Sequence, residues 1–251
     1  MKRIYIAAFA FLAVIFAGTS AFALVNIEGR YWFPTLDANA RLSNGGIIGT
    51  DVDFVNTLGV EDRNNFWDGR VSLELGSHKL RYGFTPLKWD GAKTLSQSVT
   101  FNGKLYSAST PVESQMKIDY HRLGYEYDFI DLLNNRLGVI FEMKYFDTKA
   151  RLKASSLGFD ESKGLKAPVP TIGIAAQAGL PFLLSVGGEV TGVTIGSKAY
   201  LVDAEAGVNI KPAPFVTVSG GYRYFKLHLE NNDDKANFTL AGPFVMLKAN
   251  F

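Results

Sequence analysis

The stretch from Asn237 to Phe251, NFTLAGPFVMLKANF, restricts the fold more than any other part of the chain. Read two residues at a time it separates into two faces. Ala241, Pro243, Val245, Leu247, Ala249 and Phe251 lie on one, and Gly242, Phe244, Met246, Lys248 and Asn250 on the other. A period of two is that of a β-strand, whose side chains alternate across the sheet, and here one face is apolar.

The same alternation recurs along the chain. Val25 to Leu36 sets Val25, Ile27, Gly29, Tyr31 and Phe33 against Asn26, Glu28, Arg30 and Trp32. Phe66 to Ser77 sets Trp67, Val71, Leu73 and Leu75 against Asp68, Arg70, Ser72 and Glu74. After a turn near Gly76-Ser77, Lys79 to Lys88 sets Leu80, Tyr82 and Phe84 against Lys79, Arg81, Gly83 and Thr85. Val112 to Phe129, Leu137 to Lys153, Thr171 to Leu180, Leu183 to Ile195, Ala199 to Ile210 and Phe215 to Leu229 continue the series. The reading is ten strands and no helix; eight or twelve fit the same pattern if boundaries move by a few residues. Long connections (37–65, 89–111, 154–168, 230–236) alternate with short ones near 77, 134, 181 and 212, with one exception near 197. Gly45-Gly46 breaks the first long segment, and Asn102-Gly103 predicts a small hairpin within the second.

At the other end, Lys2 and Arg3 precede an apolar run from Ile4 to Phe16, and Ala21-Phe22-Ala23 has the form of a cleavage site. The run is short for a helical span of about 20 residues. Residues 1–23 are therefore predicted to be a signal peptide, and residues 24–251 the mature domain. The formal charge of the 251-residue chain is +2, and loss of Lys2 and Arg3 would bring it to zero, which implies no nucleic-acid partner. With no cysteine, disulfides and thiolate chemistry are excluded.

The last strand, ending on Phe251, resembles the closing strand of bacterial outer-membrane β-barrels. In that class it pairs with the first strand, and its terminal aromatic is read by the barrel assembly machinery. The resemblance, to small OmpA-like and small-porin-like barrels, implies an all-β, transmembrane, antiparallel up-and-down barrel in the bacterial outer membrane, with both termini periplasmic. Long outer loops and short periplasmic turns are expected of such barrels. The aromatics also cluster toward strand ends: Tyr31, Phe33, Trp67, Tyr222 and Tyr224 at the loop side, Phe129, Phe215 and Phe251 at the turn side. A soluble lipocalin-like barrel would show the same two faces with the apolar one inside. A closed barrel is, however, the one sheet that leaves no unpaired backbone in hydrocarbon.

With the apolar face outward, the lumen receives Arg30, Arg70, Lys79, Arg81, Lys144, Arg223 and Lys248. Facing them are Glu28, Glu74, Glu126, Asp128, Glu142, Glu189, Asp203 and Glu205. These must largely pair, because an isolated buried charge is costly. Two functions follow: a structural barrel filled by the network, or a narrow passive channel. Gly83, Gly124, Gly138, Gly173, Gly187 and Gly207 on this face leave room for water or for long side chains. The alternative is an outer-membrane enzyme acting on lipid or peptide at the extracellular rim. His78 falls at a turn, His121 shares a face with Asp119 but not with Ser114, and His228 lies near Asp233 and Asp234. None forms a nucleophile–base–orienter set, so no catalytic residue and no cofactor is assigned. Asp51 and Asp53 read as a solvated loop rather than a metal site.

One outward strip is basic. Lys149, Arg151 and Lys153 continue the face of Met143 and Tyr145. If the preceding turn centres near Leu133, Lys117 lies opposite Lys149 and His121 opposite Tyr145. Like charges across a ladder are destabilising unless an anion lies between them. Lys117, Lys149, Arg151 and Lys153 are therefore candidate contacts to lipopolysaccharide phosphates.

Overall fold

The computed structural model describes residues 24–41, 43, 48–196, 198–231 and 234–251. The expected signal peptide (1–23), the Gly45-Gly46 breaker and Asp233 lie outside the described residues. In chain order the strands are β1 (Leu24–Trp32), β2 (Thr35–Arg41), β3 (Val52–Asp53), β4 (Phe66–Leu75), β5 (His78–Thr94), β6 (Val99–Phe101) and β7 (Lys104–Tyr106). They continue with β8 (Pro111–Leu132), β9 (Asn135–Ala154), β10 (Phe159–Gly179), β11 (Leu184–Ile195), β12 (Ala199–Ala213), β13 (Val216–Asn231) and β14 (Asp234–Asn250).

Ten of them close an antiparallel barrel in the order β1-β4-β5-β8-β9-β10-β11-β12-β13-β14, and β14 returns to β1. This is the up-and-down ten-strand barrel that the alternation predicts. At the seam Asn26 stands opposite Asn250 and Trp32 opposite Phe244. β1 meets β4 along all nine of its residues, close to the roughly 9–11 that a tilted membrane strand needs. Beyond Phe33-Pro34 the chain resumes as β2, which pairs with the loop-side half of β14 from Ala241 to Lys235. One end of the barrel carries short turns. The other carries two long connections, from β1 to β4 and from β5 to β8, beside short ones between β9 and β10, β11 and β12, and β13 and β14. The long connections expected at 154–168 and 230–236 are therefore mostly strand. The two ends are the turn end and the loop end below.

The wall is uneven. β5, β8, β9 and β10 run 17, 22, 20 and 21 residues, whereas β4 and β11 have 10 and 12. Two expected boundaries are corrected here. Residues 89–94 belong to β5, and residues 159–170, read as a loop, form the first half of β10. Pro168 and Pro170 make that half look unlike a strand. Only β9 pairs with it, since β11 joins at Ile172, and an unpaired edge tolerates residues that lack an N–H. The small hairpin does form: β6 and β7 are joined by Asn102 and Gly103 at φ 48° and 79°, the left-handed pair that a two-residue hairpin requires.

The faces fall as the alternation predicts. Ile27, Trp67, Leu123, Phe141, Ile172 and Leu247 are exposed on the outside, while Asn26, Arg30, Arg81, Glu126 and Arg223 are buried inside. Outward aromatics mark two levels. Near the loop end Tyr31 lies 4.9 Å from Phe33 and 4.7 Å from Trp67, ring centre to ring centre. Phe129, Phe182, Phe215 and Phe251 are exposed at the turn end.

Candidate functional site

The lumen has three levels. Nearest the turn end is an open vestibule of about 610 Å³, bordered by Glu28, Arg70, Glu74, Arg136, Glu205, Asn209 and Lys248, among others. Above it the charged side chains interlock. Arg30 grips Glu205 with both terminal nitrogens at 2.8 and 2.7 Å. Arg70 and Arg81 share Glu189 at 2.9 and 2.6 Å, and Arg81 also reaches Glu126 at 3.0 Å. Lys79 holds Glu74 at 3.0 Å, and Lys248 lies 3.8 Å from Glu28.

The innermost node is built on Asp68 and Asp203. Asp68 accepts hydrogen bonds from Thr85 Oγ1 (2.5 Å), Arg122 (2.6 Å) and Arg223 (3.1 Å). Asp203 accepts Arg223 Nε and Nη2, both at 2.9 Å, together with the Tyr120 hydroxyl at 2.9 Å and Lys144 at 3.2 Å. Lys144 also bonds Glu142. Twelve of the charged lumen residues, Glu28, Arg30, Arg70, Glu74, Arg81, Glu126, Glu142, Lys144, Glu189, Asp203, Glu205 and Arg223, thus take part, with Lys79, in one contiguous set of pairs. The sequence reading omitted Asp68, Arg122 and Arg136 from its seven cations and eight acids. Adding two cations and one acid makes nine of each, so these eighteen paired residues carry no formal net charge, and Lys211 at the vestibule adds one cation. The omitted residues were legible by parity: Asp68 alternates with Arg70, and Arg122 with Gly124 and Glu126.

Toward the loop end the lumen turns apolar. The Arg223 guanidinium lies 4.9 Å below the Trp32 ring, and Lys144 5.6 Å from that of Tyr120. Tyr120 stacks on Phe146 at 4.6 Å, and Phe225, Phe238 and Trp89 follow at centroid separations of 5.6, 6.0 and 5.7 Å. Trp32 and Trp89 are each 1% exposed. A cavity of about 30 Å³ remains among these rings, roughly the share of a single water in the liquid. The long connections extend this core outward. Leu58, Val60, Val99, Phe101 and Tyr106 are buried in the same apolar cluster as Leu152 and Ala154 of β9, forming a folded cap. Tyr106 donates to the Leu152 carbonyl at 3.0 Å, and burial pushes its phenol up to about 12.

The six lumen glycines do not all play one part. An added β-carbon at Gly83 would lie 3.1 Å from the Arg122 guanidinium, and one at Gly124 3.0 Å from Arg81. At these two positions the missing side chain makes room for arginines to cross the tube. Gly187 and Gly207 instead border the vestibule.

Other sites singled out by the sequence lie apart. On the outside, His78 is exposed and His121 half-buried, bonded to the hydroxyls of Tyr125 (2.6 Å) and Tyr82 (2.8 Å). Half-buried His228 has Asn237 beside one ring nitrogen and Glu230 4.0 Å from the other. Ser114 points inward and donates to the Leu58 carbonyl. Asp53 accepts both the backbone and side-chain amides of Asn56 at 2.7 Å, and Asp51 lies 3.8 Å from Arg41. Lys117 does stand opposite Lys149, and His121 opposite Tyr145. Arg151, however, is forked onto Asp160 at 2.6 and 2.5 Å, holding that carboxyl below its usual range, and Lys153 lies 3.1 Å from Glu113.

A closed antiparallel barrel with an apolar exterior between two aromatic levels and a charged interior is an outer-membrane-type β-barrel. The solved structure of an outer membrane protease supports that fold. The outer membrane protease OmpT from Escherichia coli superposes with a TM-score of 0.53 at 12% identity, covering 90% of this chain and 97% of that one. The translocator domain of the autotransporter NalP from Neisseria meningitidis gives 0.42 at 12% identity over 96% and 92% of the two chains. Ail from Yersinia pestis gives 0.38 at 11% identity over 91% and 99%. No protein-family model and no curated protein matches the sequence.

Proposed function

We propose that the chain is a structural outer-membrane barrel, sealed in its lumen, that carries a folded cap beyond the membrane at its loop end. The observation that carries this reading is the unbroken filling above the vestibule. Nine cations and nine acids pair across the tube, and the aromatic layer from Trp32 to Phe238 follows directly. Ion passage would require the Asp68–Arg223–Asp203 node to part and at least one of the buried rings to swing aside. Separating those charges is costly, since a buried ion that loses its partner keeps its desolvation penalty.

The vestibule supports the narrow passive channel as a second reading, because it brings water to the edge of the charge network. Planar-bilayer recording on the refolded protein separates the two. The sealed barrel gives no steady conductance above the bare bilayer at moderate voltage. A steady current in most insertions would overturn the sealed reading in favour of the channel.

A further inference from the structure

We propose that the outer wall formed by β5, β8 and β9 docks the phosphates of a membrane lipid headgroup, of the lipopolysaccharide type, through a row of three lysines: Lys88, Lys117 and Lys149. The inference rests on the barrel crossing a membrane, and not on whether its lumen is sealed. Register brings the three together. Lys88 stands directly opposite Lys117, and Lys117 directly opposite Lys149. All three point outward, on the same parity as Tyr82, Phe84, His121 and Tyr145. Lys88 was missed from the sequence because that comparison paired only β8 with β9.

The height of the row is set by an aromatic row beneath it. Phe84, His121 and Tyr145 face one another across the same three strands, with ring centres 4.7 and 6.1 Å apart. Outward aromatics of this kind sit at the interface of a membrane barrel. Phe84 to Lys88 is four residues, about 13 Å along a strand and less in height because barrel strands tilt. That places the lysines at headgroup level.

Charge compensation within the wall is incomplete. Asp90 takes Lys88 and Asp119 takes Lys117, each at 2.9 Å, while the carboxylate of Asp147 is held by Lys166 at 2.8 Å. Lys149 has no ion pair among the described residues. Gly164, opposite it on β10, has no side chain, so the row stays open on that side. Ammonium groups on directly opposed strand positions repel, and a phosphate lodged between Lys117 and Lys149 would turn that repulsion into two charge-assisted hydrogen bonds. Arg151 and Lys153, expected from sequence to share this role, are tied across the ladder to acids on neighbouring strands, Asp160 of β10 and Glu113 of β8, whereas Lys88 and Lys117 pair only with acids two residues along their own strands.

The test compares thermal unfolding midpoints in phosphatidylcholine vesicles with and without lipopolysaccharide. The wild type rises in the lipopolysaccharide vesicles, Lys88→Gln/Lys117→Gln/Lys149→Gln loses most of that rise, and Arg151→Gln/Lys153→Gln keeps it. Lys149→Gln alone, at an exposed position without an ion pair, folds as the wild type does in neutral vesicles and loses at least half of the rise. A triple variant that keeps the full rise overturns the proposal. So does an equal rise of the wild type in neutral vesicles on adding inorganic phosphate, which would make the row a free-anion site.

Discussion

Arg223 shows how much one residue decides in this lumen. It is wholly buried, and its guanidinium bonds Asp203 through two nitrogens and Asp68 through a third. The Trp32 ring closes over it. A planar fork can satisfy two carboxylates at once, which an ammonium cannot do in the same geometry. Removing one partner from a buried ion pair typically costs about 3–5 kcal/mol, because the remaining charge stays desolvated. Arg223→Ala is therefore expected to lower the stability of the refolded barrel by about that amount, with Arg223→Lys recovering only part of it. Glu205→Gln should be the milder change, since Glu205 borders the vestibule, where water reaches it. Urea unfolding in vesicles, followed by tryptophan fluorescence, measures all three. An Arg223→Ala loss below about 0.5 kcal/mol, the range of an ordinary surface change, would mean that the node is not paired as described.

Among the elements, β14 holds the barrel shut. It pairs with β13 on one side and with both β1 and β2 on the other. Past its end, Phe251 and Val25 exchange backbone hydrogen bonds at 2.8 and 2.9 Å, and the Phe251 ring is 69% exposed at the turn-side aromatic level. Deleting Phe251 removes both seam bonds and one interfacial ring. The expected result is a clear drop in the folded, heat-modifiable fraction in the outer membrane, with export unchanged; an undiminished folded yield would remove the closing role assigned to this residue. The strands were legible because period-two alternation runs through almost every one, and β8–β9 was legible even in register, since Leu133 at φ 58° marks the turn where expected. The upper half of β10 was hidden by Pro168 and Pro170, which a central strand would exclude but its one-sided pairing admits. The cap was hidden for a different reason. Leu58, Val60, Val99, Phe101 and Tyr106 come from separate segments with no shared period, and only the folded chain gathers them into one cluster with Leu152 and Ala154.

At the scale of the whole molecule the barrel is asymmetric along its axis. Water enters one end as far as the charged layer, while at the other end a folded cap lies over a ring-filled lumen. If the short turns face the periplasm, as is usual for transmembrane barrels, the vestibule is a periplasmic recess and the cap is what the cell surface presents. The absence of native cysteine makes this directly testable, because any introduced thiol is unique. Asn209 borders the vestibule, bonded to Ser185 and Ser219 at 3.2 and 2.6 Å, whereas Ala38 is 3% exposed in the apolar layer toward the loop end. A membrane-impermeant thiol reagent should modify Asn209→Cys rapidly in refolded protein and leave Ala38→Cys unmodified until the barrel is unfolded. In whole cells Asn209→Cys should stay protected until the outer membrane is permeabilised. Labelling of Asn209→Cys on intact cells would mean either that the turn end faces outward or that the lumen above the vestibule lets the reagent through. Leu105→Cys in the exposed hairpin at the loop end decides between them: the leaky barrel labels it on intact cells and the inverted one does not.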